Sequence, residues 1–452
     1  MKSREIKDNL IIVLFFALLI VPTLVFPIYS LFVETANLEK RKLAEYPHVA
    51  DVGIEGYPSS FEAYWNDHIP FRNQLISVNN NIDYFVFKVP SNNMVEIGKN
   101  GWLFYSNDDD SNPIKQSLGM RNVDDNYLAA TADALVNSER VLNSLGIEFV
   151  IFLAPNKATI YKEQLPDCYE VVNEVTSIDQ FVKYMRENTD LRIVYPKEAL
   201  LEFKEENPDV DLYYKKDGHW NHAGGYIAAR ELALELGVEM PRLQDLEYRE
   251  IAGTNQDLAI TLNVKDLSGN KDYEISGYSD YETVTDMWNF DTYFKYHSEN
   301  ADSRRLLVRR DSYSTAVSDY IGSQFAYTNM INRYKFSDQA IIDEKPDIFV
   351  YESVERYFTD LGWMHFSYVG LKSDVSDGEK HISINHWVKT ENNPVIYVYK
   401  TTESGTECIL ENSIIPDDVI VSVPETESGQ IRIEVYLSSW GDEPVEIRNF
   451  SY

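Results

Sequence analysis

From residue 10 to residue 33 the chain carries no charge at all: LIIVLFFALLIVPTLVFPIYSLFV. A helix of about 20 predominantly apolar residues spans a bilayer, so this run is long enough. Lys2, Arg4 and Lys7 precede it, and basic residues on that flank keep an N-terminus in the cytoplasm. A cleavable signal peptide has an apolar core of about 7–15 residues and then a small-residue site. The run here is longer and no such site follows. The pattern predicts an uncleaved single-pass anchor in the cell membrane, kinked at Pro22 and Pro27, with everything after residue 34 outside the cytoplasm.

Residues 34–47 are charged and read as a stalk, and residues 61–80 (FEAYWNDHIPFRNQLISVNN) as an amphipathic helix broken near Pro70. A turn at Asn100-Gly101 leads into the apolar strand Trp102-Leu103-Phe104-Tyr105. An α/β rhythm then begins. Leu128, Ala132, Leu135, Val141 and Leu142 recur at helical spacing over residues 127–145. Residues 148–154 (EFVIFLA) form an almost wholly apolar strand, as happens when both faces of a parallel sheet are covered. Residues 178–187, 198–204 and 222–236 predict helices, the last stopped by Gly237. Residues 192–195, 305–308 and 347–351 predict strands, and residues 314–321 a further helix. Residues 245–300 are rich in Tyr, Asp, Asn and Thr with weak periodicity, which predicts an insertion over the sheet: a lid, a substrate wall or a plain surface excursion. Beyond residue 362, β-branched runs at 380–388, 395–400, 419–423 and 430–437 are separated by turn-forming pairs. In the last run Ile431, Ile433 and Val435 alternate with Arg432, Glu434 and Tyr436, the mark of a strand with one wet face. The expected organisation is therefore an anchor (1–33), a stalk and helical segment (34–95), an α/β domain (96–360, with the 245–300 insertion) and a small β-sandwich (361–452).

Charge narrows the function. The 452 residues carry a formal net charge of −32, so nucleic acid, which needs clustered Lys and Arg, is excluded as a partner. The same charge disfavours anionic lipid surfaces and keeps an exported domain dispersed. The 31 Tyr, 21 Phe and 7 Trp lean weakly towards sugar binding, because exposed rings stack on sugars while most rings are core. Two cysteines, Cys168 and Cys408, are too few for a disulfide framework or a four-cysteine zinc site. They leave one bridge between domains or two buried thiols, and buried thiols are expected.

Two short stretches can do chemistry. In Lys216-Asp217-Gly218-His219-Trp220-Asn221 the carboxylate two residues before the imidazole can orient it and stabilise its charged form, which a hydroxyl nucleophile requires. In Arg310-Asp311-Ser312-Tyr313 a serine follows an apolar strand and leads into a helix, beside N–H groups able to stabilise an oxyanion. Ser312 would be the nucleophile, His219 the base and Asp217 the orienting carboxylate. The plain alternative for Ser312 is a helix N-cap, and Asp311 reads as an acceptor that ties the turn. His219 and His222 lack a third ligand at an obvious spacing, so neither a metal nor another cofactor is expected.

With its neighbours, the Asp217–Trp220 stretch resembles the D-x-H-W (DHHW) signature of the alginate O-acetyltransferase AlgX/AlgJ-type branch of the SGNH hydrolase-like superfamily, in which the Asp-x-His element likewise precedes the serine. RDSY resembles that family's nucleophile turn. FEAYWNDHIPFR (61–72), GKNGWLFY (98–105), APNKATIYKEQLP (154–166) and the pair Glu352 and Arg356 resemble further blocks in the family's order. Arg310 stands where many relatives have Gly, Tyr313 where many have Phe, and Gly218 replaces a Thr or His. The resemblance implies an SGNH-like three-layer α/β/α domain with a mainly parallel sheet, and Trp220, Tyr313 and Arg310 lining the substrate site. It also implies a serine O-acetyltransferase that accepts acetyl from a membrane-bound O-acyltransferase and passes it to a polysaccharide. An acetylesterase with the same triad, or an idle glycan-binding scaffold of an export complex, are the alternatives.

Overall fold

The structure, a computed structural model, describes residues 42–363 without a break, scattered positions between 12 and 25, and from residue 366 onward seven strands with parts of their connections. It divides into two compact units, residues 1–92 with 260–265, and residues 93–259 with 266–452. The expected anchor, residues 10–33, falls largely outside the described residues; among those, no helix is long and apolar enough to cross a membrane.

In the first unit, helix α1 (Val49–His68) and helix α2 (Arg72–Ile82) are separated by Ile69, Pro70 and Phe71. Pro70 cannot continue a helix, and Phe71 takes a left-handed φ of 63°, so the predicted break falls where the sequence put it. Asn80 Nδ2, Ser91 Oγ and Asn92 Nδ2 donate to the carbonyls of Leu262, Leu262 and Thr261, which is how residues 260–265 join this unit.

The second unit opens with the antiparallel pair β1 (Val95–Ile97) and β2 (Leu103–Tyr105). Its main sheet contains β3 (Glu148–Ala154) and β4 (Arg192–Val194). A separate hairpin, β5 (Glu247–Ala252) with β6 (Lys271–Ser276), precedes the remaining strands of the main sheet: β7 (Glu282–Trp288), β8 (Tyr293–Glu299), β9 (Asp302–Arg310), β10 (Phe325–Asn332) and β11 (Ile348–Val354). The order is β4-β3-β11-β9-β10-β8-β7. The first five strands run parallel, and β8 and β7 extend them antiparallel.

Helices α3 (Asp125–Ser144), α4 (Ser177–Asn188), α5 (Lys197–Glu206) and α6 (His222–Glu235) supply the outer layers. In β3, Val150, Phe152 and Ala154 share one core with Tyr226, Ile227 and Ala229 of α6. Phe149, Ile151 and Leu153 share the other with Leu135 of α3 and Phe181 of α4. Both sides of the strand are dry, which explains the unbroken apolar run EFVIFLA. Helix α4 begins with a reciprocal cap: Asp179 N donates to Thr176 Oγ1, and Thr176 N donates to Asp179 Oδ2.

Residues 245–300 differ from the expectation of an insertion over the sheet. Their second half supplies β7 and β8, which hydrogen-bond into the main sheet. Weak periodicity there reflects an outer extension: β7 is exposed at most of its positions, with the burial pattern of an edge strand.

The C-terminal strands form two sheets, β12 (Val369–Ser376), β13 (Glu379–His386) and β16 (Val419–Pro424), and β15 (Gly405–Asn412), β14 (Val395–Thr402), β17 (Gln430–Tyr436) and β18 (Glu446–Ser451). Ile382, Ile396, Val398, Val423, Ile431, Ile433 and Val435 merge into the core shared by α3 and α4. Glu434, expected on a wet face, is buried; it pairs with Arg432 and accepts from Tyr436. Cys168 and Cys408 are unpaired and both exposed, which corrects the expectation of burial.

Candidate active site

In a parallel sheet, ligand sites gather beyond the carboxyl ends of the strands. Three strands deliver residues there: β3 ends before Asn156 and Lys157, β9 before Asp311 and Ser312, and β11 before Glu355 and Arg356. The remaining part is the turn between Tyr213 and α6, closed by a single bridge between Tyr213 and Trp220.

That turn is tightly specified. Asn221 caps α6 by accepting from the amides of Ala223 and Gly224. A Cβ on Gly224 would lie 2.3 Å from the Leu212 carbonyl oxygen, and one on Gly225 would lie 2.4 Å from that of Ala316. The two glycines let α6 pass close to its own lead-in turn and to the segment after Ser312. Beneath the turn, buried Lys157 donates from Nζ to the carbonyls of Tyr214, Lys215 and Asp217 at 2.8, 3.2 and 2.8 Å. Burial pushes its ammonium down to about 7, although the three carbonyls use all three of its protons.

On this platform the predicted triad assembles. His219 Nδ1 donates to Asp217 Oδ1 at 2.7 Å, and His219 Nε2 lies 2.8 Å from Ser312 Oγ. With Nδ1–H committed to a carboxylate, Nε2 of the neutral ring is the acceptor for the serine proton. Asp217 also accepts from the amides of His219 and Asp257. Burial opposes its charge, but His219 and these N–H donors hold it well below the usual carboxylate range. Burial likewise opposes charge on His219; the Asp217 carboxylate outweighs it, Asp257 and Asp311 add to it, and the ring is raised to about 9.

Asp257 was not legible in the sequence as part of this site. Its Oδ1 accepts from Gly218 N at 2.7 Å and its Oδ2 lies 3.7 Å from His219 Nδ1. Desolvation of its half-exposed carboxyl and the neighbouring Asp217 raise it to about 6. Asp217, His219 and Asp257 form the one cluster of potential metal ligands among the described residues. Both imidazole nitrogens, however, are already engaged, by Asp217 and Ser312.

The nucleophile turn is held by carboxylates. Asp311 Oδ1 accepts from Tyr313 N and Oδ2 from Val354 N, both at 2.8 Å, and Asp311 N donates to fully buried Glu352. Burial, together with the adjacent Asp311, raises the Glu352 carboxyl well above its ordinary value. Asp311 is thus the structural acceptor that the sequence suggested. Ser312 leads not into a full helix but into a 3₁₀ turn, Tyr313–Ala316, and a five-residue helix, Ser318–Gly322. The Tyr313 amide is spent on Asp311 and is not free to meet an oxyanion.

Of the three residues expected to line the substrate site, Trp220 and Tyr313 border a hollow beside His219 and also act as ties. Trp220 Nε1 donates to the Tyr313 carbonyl at 2.8 Å, and Tyr313 Oη donates to the Gly218 carbonyl at 2.9 Å. These reciprocal bonds clamp the histidine turn to the serine turn. Arg310 departs from the expectation: it is wholly buried, its guanidinium 3.7 Å from the Phe294 ring centre and donating to the Phe290 carbonyl at 2.6 Å. It braces the turn between β7 and β8 instead of facing a ligand.

Two hollows flank the His219 ring. One, of about 140 Å3, is bordered by Asp257, Asn156, Lys157, Tyr105 and Arg356. The other, of about 230 Å3, is bordered by Ser312, Trp220, His222, Phe290 and Thr315. Arg356, noted in the sequence only through the resemblance, lies against the Tyr105 and Tyr357 rings.

Residues 95–286 match the family model described as SGNH hydrolase-like domain, acetyltransferase AlgX. Among characterised proteins, the probable alginate O-acetylase AlgJ of Pseudomonas aeruginosa is 24% identical over 178 residues, 39% of this chain and 41% of that protein. The chain therefore spans about two fifths of the length of that relative. Among solved structures, Bacillus cereus PatB1 is similar with a TM-score of 0.44 and 17% identity, over 60% of this chain and 97% of that one. The O-acetyltransferase domain of Pseudomonas putida AlgJ is similar with a TM-score of 0.38 and 16% identity, over 60% and 93%.

Proposed function

Because the chain carries an SGNH hydrolase-like domain of the AlgX/AlgJ acetyltransferase type, we propose that it is an O-acetyltransferase that carries acetyl on Ser312 to hydroxyls of an exported or cell-wall polysaccharide. The observation that supports this most is the hydrogen-bonded line from Asp217 through His219 to Ser312, at 2.7 and 2.8 Å.

In the first half-reaction Ser312 Oγ attacks the acetyl carbonyl of a donor and its proton passes to His219 Nε2. The tetrahedral intermediate collapses, the donor's leaving group takes that proton, and acetyl-Ser312 remains. In the second, a sugar hydroxyl attacks the acetyl carbon and gives its proton to His219 Nε2. The C–O bond to Ser312 then breaks, Oγ recovers the proton, and the sugar leaves as its acetyl ester. Asp217 holds the ring in the tautomer that both halves need and stabilises the imidazolium between them.

The uncharged run at residues 10–33 supports a membrane-anchored chain with this domain outside the cytoplasm. A membrane-bound O-acyltransferase is then the natural source of acetyl on that side, and the polysaccharide the acceptor. Intact-protein mass spectrometry of the full chain, exposed to an activated acetyl ester, tests the reading. Wild type should gain one acetyl group, Ser312→Ala and His219→Ala none, and an oligosaccharide should discharge the adduct faster than water does. Discharge by water at the same rate with or without sugar would make the protein an esterase. A folded wild type that never acquires an adduct would leave only a glycan-binding scaffold.

A further inference from the structure

The two hollows beside His219 are not equivalent. An incoming hydroxyl must reach the acyl carbon on Ser312 Oγ and His219 Nε2 together. The hollow of about 230 Å3 is bordered by both Ser312 and His219, whereas the hollow of about 140 Å3 meets His219 beside Asp257 and does not include Ser312. The larger hollow, of about 230 Å3, has space for the polar edge of a sugar ring.

Its walls carry two groups that neither the triad nor its supports employ. The first is His222, three residues after the catalytic histidine on the first turn of α6. Its Nδ1 lies 2.9 Å from both oxygens of Asp272, and its amide donates to Asp272 Oδ1 at 3.0 Å. Asp272 is buried, and its Oδ2 also accepts from Tyr214 Oη at 2.6 Å. The His222 ring is thereby fixed by a carboxylate that is itself fixed, and Nδ1–H is committed. Nε2 remains for a ligand, on a side chain that is 41% exposed. The second is Phe290, 45% exposed. Its carbonyl accepts from the Arg310 guanidinium at 2.6 Å and from Asn332 Nδ2 at 3.1 Å. Two donors hold the backbone of that turn, and the exposed residue borders the hollow. An exposed aromatic residue on a held turn, beside an oriented imidazole, suits a ligand with one C–H face and one hydroxyl edge, which is the chemistry of a pyranose.

We propose that this hollow is the acceptor subsite: Phe290 stacks on the sugar face and His222 Nε2 hydrogen-bonds a hydroxyl next to the one acetylated. The proposal rests on the transferase reading for its chemistry, but the binding it asserts can be measured apart from catalysis. Full-length Ser312→Ala is titrated by calorimetry with cellopentaose, xylopentaose and chitopentaose, alone and with His222→Ala or Phe290→Ala added. In parallel, discharge of acetyl-Ser312 is followed as a function of sugar concentration in the single variants. A sugar that discharges the adduct should bind Ser312→Ala, and each added substitution should weaken binding about tenfold, the equivalent of one hydrogen bond or one stacked ring. The same substitutions should raise the sugar's KM far more than they lower kcat, a split that loss of fold would not produce. Melting curves check folding, and Phe290, being exposed, gives a variant that folds if His222→Ala does not. Discharge by sugar at unchanged KM in both variants overturns the subsite and spares the transferase. Sugar binding that depends on His222 and Phe290, in a protein that never acetylates, sustains the subsite and overturns the transferase. No binding or discharge by any of the three sugars overturns the subsite as well.

Discussion

Asp257→Asn separates the two carboxylates that act on His219. Asp217 accepts the Nδ1 proton, while Asp257 Oδ2 stands 3.7 Å from the same nitrogen without replacing that bond. Asn keeps an oxygen for Gly218 N, removes the charge and puts an NH2 donor in place of Oδ2. Unit charges at that separation interact by about 1 kcal/mol in water's dielectric and by about 4 kcal/mol at an effective dielectric near 20. The Asp257 side chain is 48% exposed, so solvent screening favours the lower figure. About 1 kcal/mol is somewhat under one pKa unit. His219, raised to about 9 in the native site, should therefore fall towards 8. Asp257 itself is raised only to about 6, so it is charged throughout the pH range in question. The general base must be neutral, so the acetylation rate of the native protein should climb with pH to a plateau above about 9. In Asp257→Asn the climb should come about one unit earlier, giving a several-fold faster rate near pH 7 and, because a weaker base removes the serine proton less well, a lower plateau. The assay is the pH profile of the acetyl-Ser312 burst from an activated ester, with wild type and variant at equal concentration. Crossing profiles support the reasoning; an unmoved midpoint, or one displaced to higher pH, refutes it.

Trp220→Phe removes the indole N–H that reaches the Tyr313 carbonyl at 2.8 Å and leaves that buried acceptor unpaired. We expect about 1–3 kcal/mol of lost stability in urea unfolding, with a slower acetyl burst as the histidine and serine turns loosen. Gly225→Ala puts a Cβ 2.4 Å from the Ala316 carbonyl oxygen; moving α6 or the segment after Ser312 to relieve it should cost about 1–3 kcal/mol by the same measurement. Lys157→Met keeps the length of the side chain but abandons three carbonyls. A loss of about 3 kcal/mol or more, with a disproportionate fall in kcat, is expected.

Much of this protein is written locally in its sequence. The apolar strands EFVIFLA and DIFVY emerge as β3 and β11 because both faces of a parallel sheet are buried, and that shows as an uninterrupted run. The Pro70 break and the Gly237 stop are backbone rules that need only near neighbours. The hydrogen-bonded line of Asp217, His219 and Ser312 was legible too: Asp217 and His219 sit two residues apart, and Ser312 follows a strand. What only the tertiary structure decided is everything that depends on residues far apart in sequence meeting. Asp257 joins His219 across some forty residues, and no spacing announces it. Residues 282–299 join the sheet because they find an open edge beside β10, an event of topology that their weak alternation did not signal. The family resemblance put Arg310 at the substrate site, yet β9 turns it inward onto Phe294, where the guanidinium braces the turn that holds Phe290. His222 carried one meaning in the sequence, as a discarded metal ligand, and another once Asp272, fifty residues on, fixed its Nδ1. Period and spacing report which face a residue takes; which partner waits on that face is settled only when the chain has closed on itself.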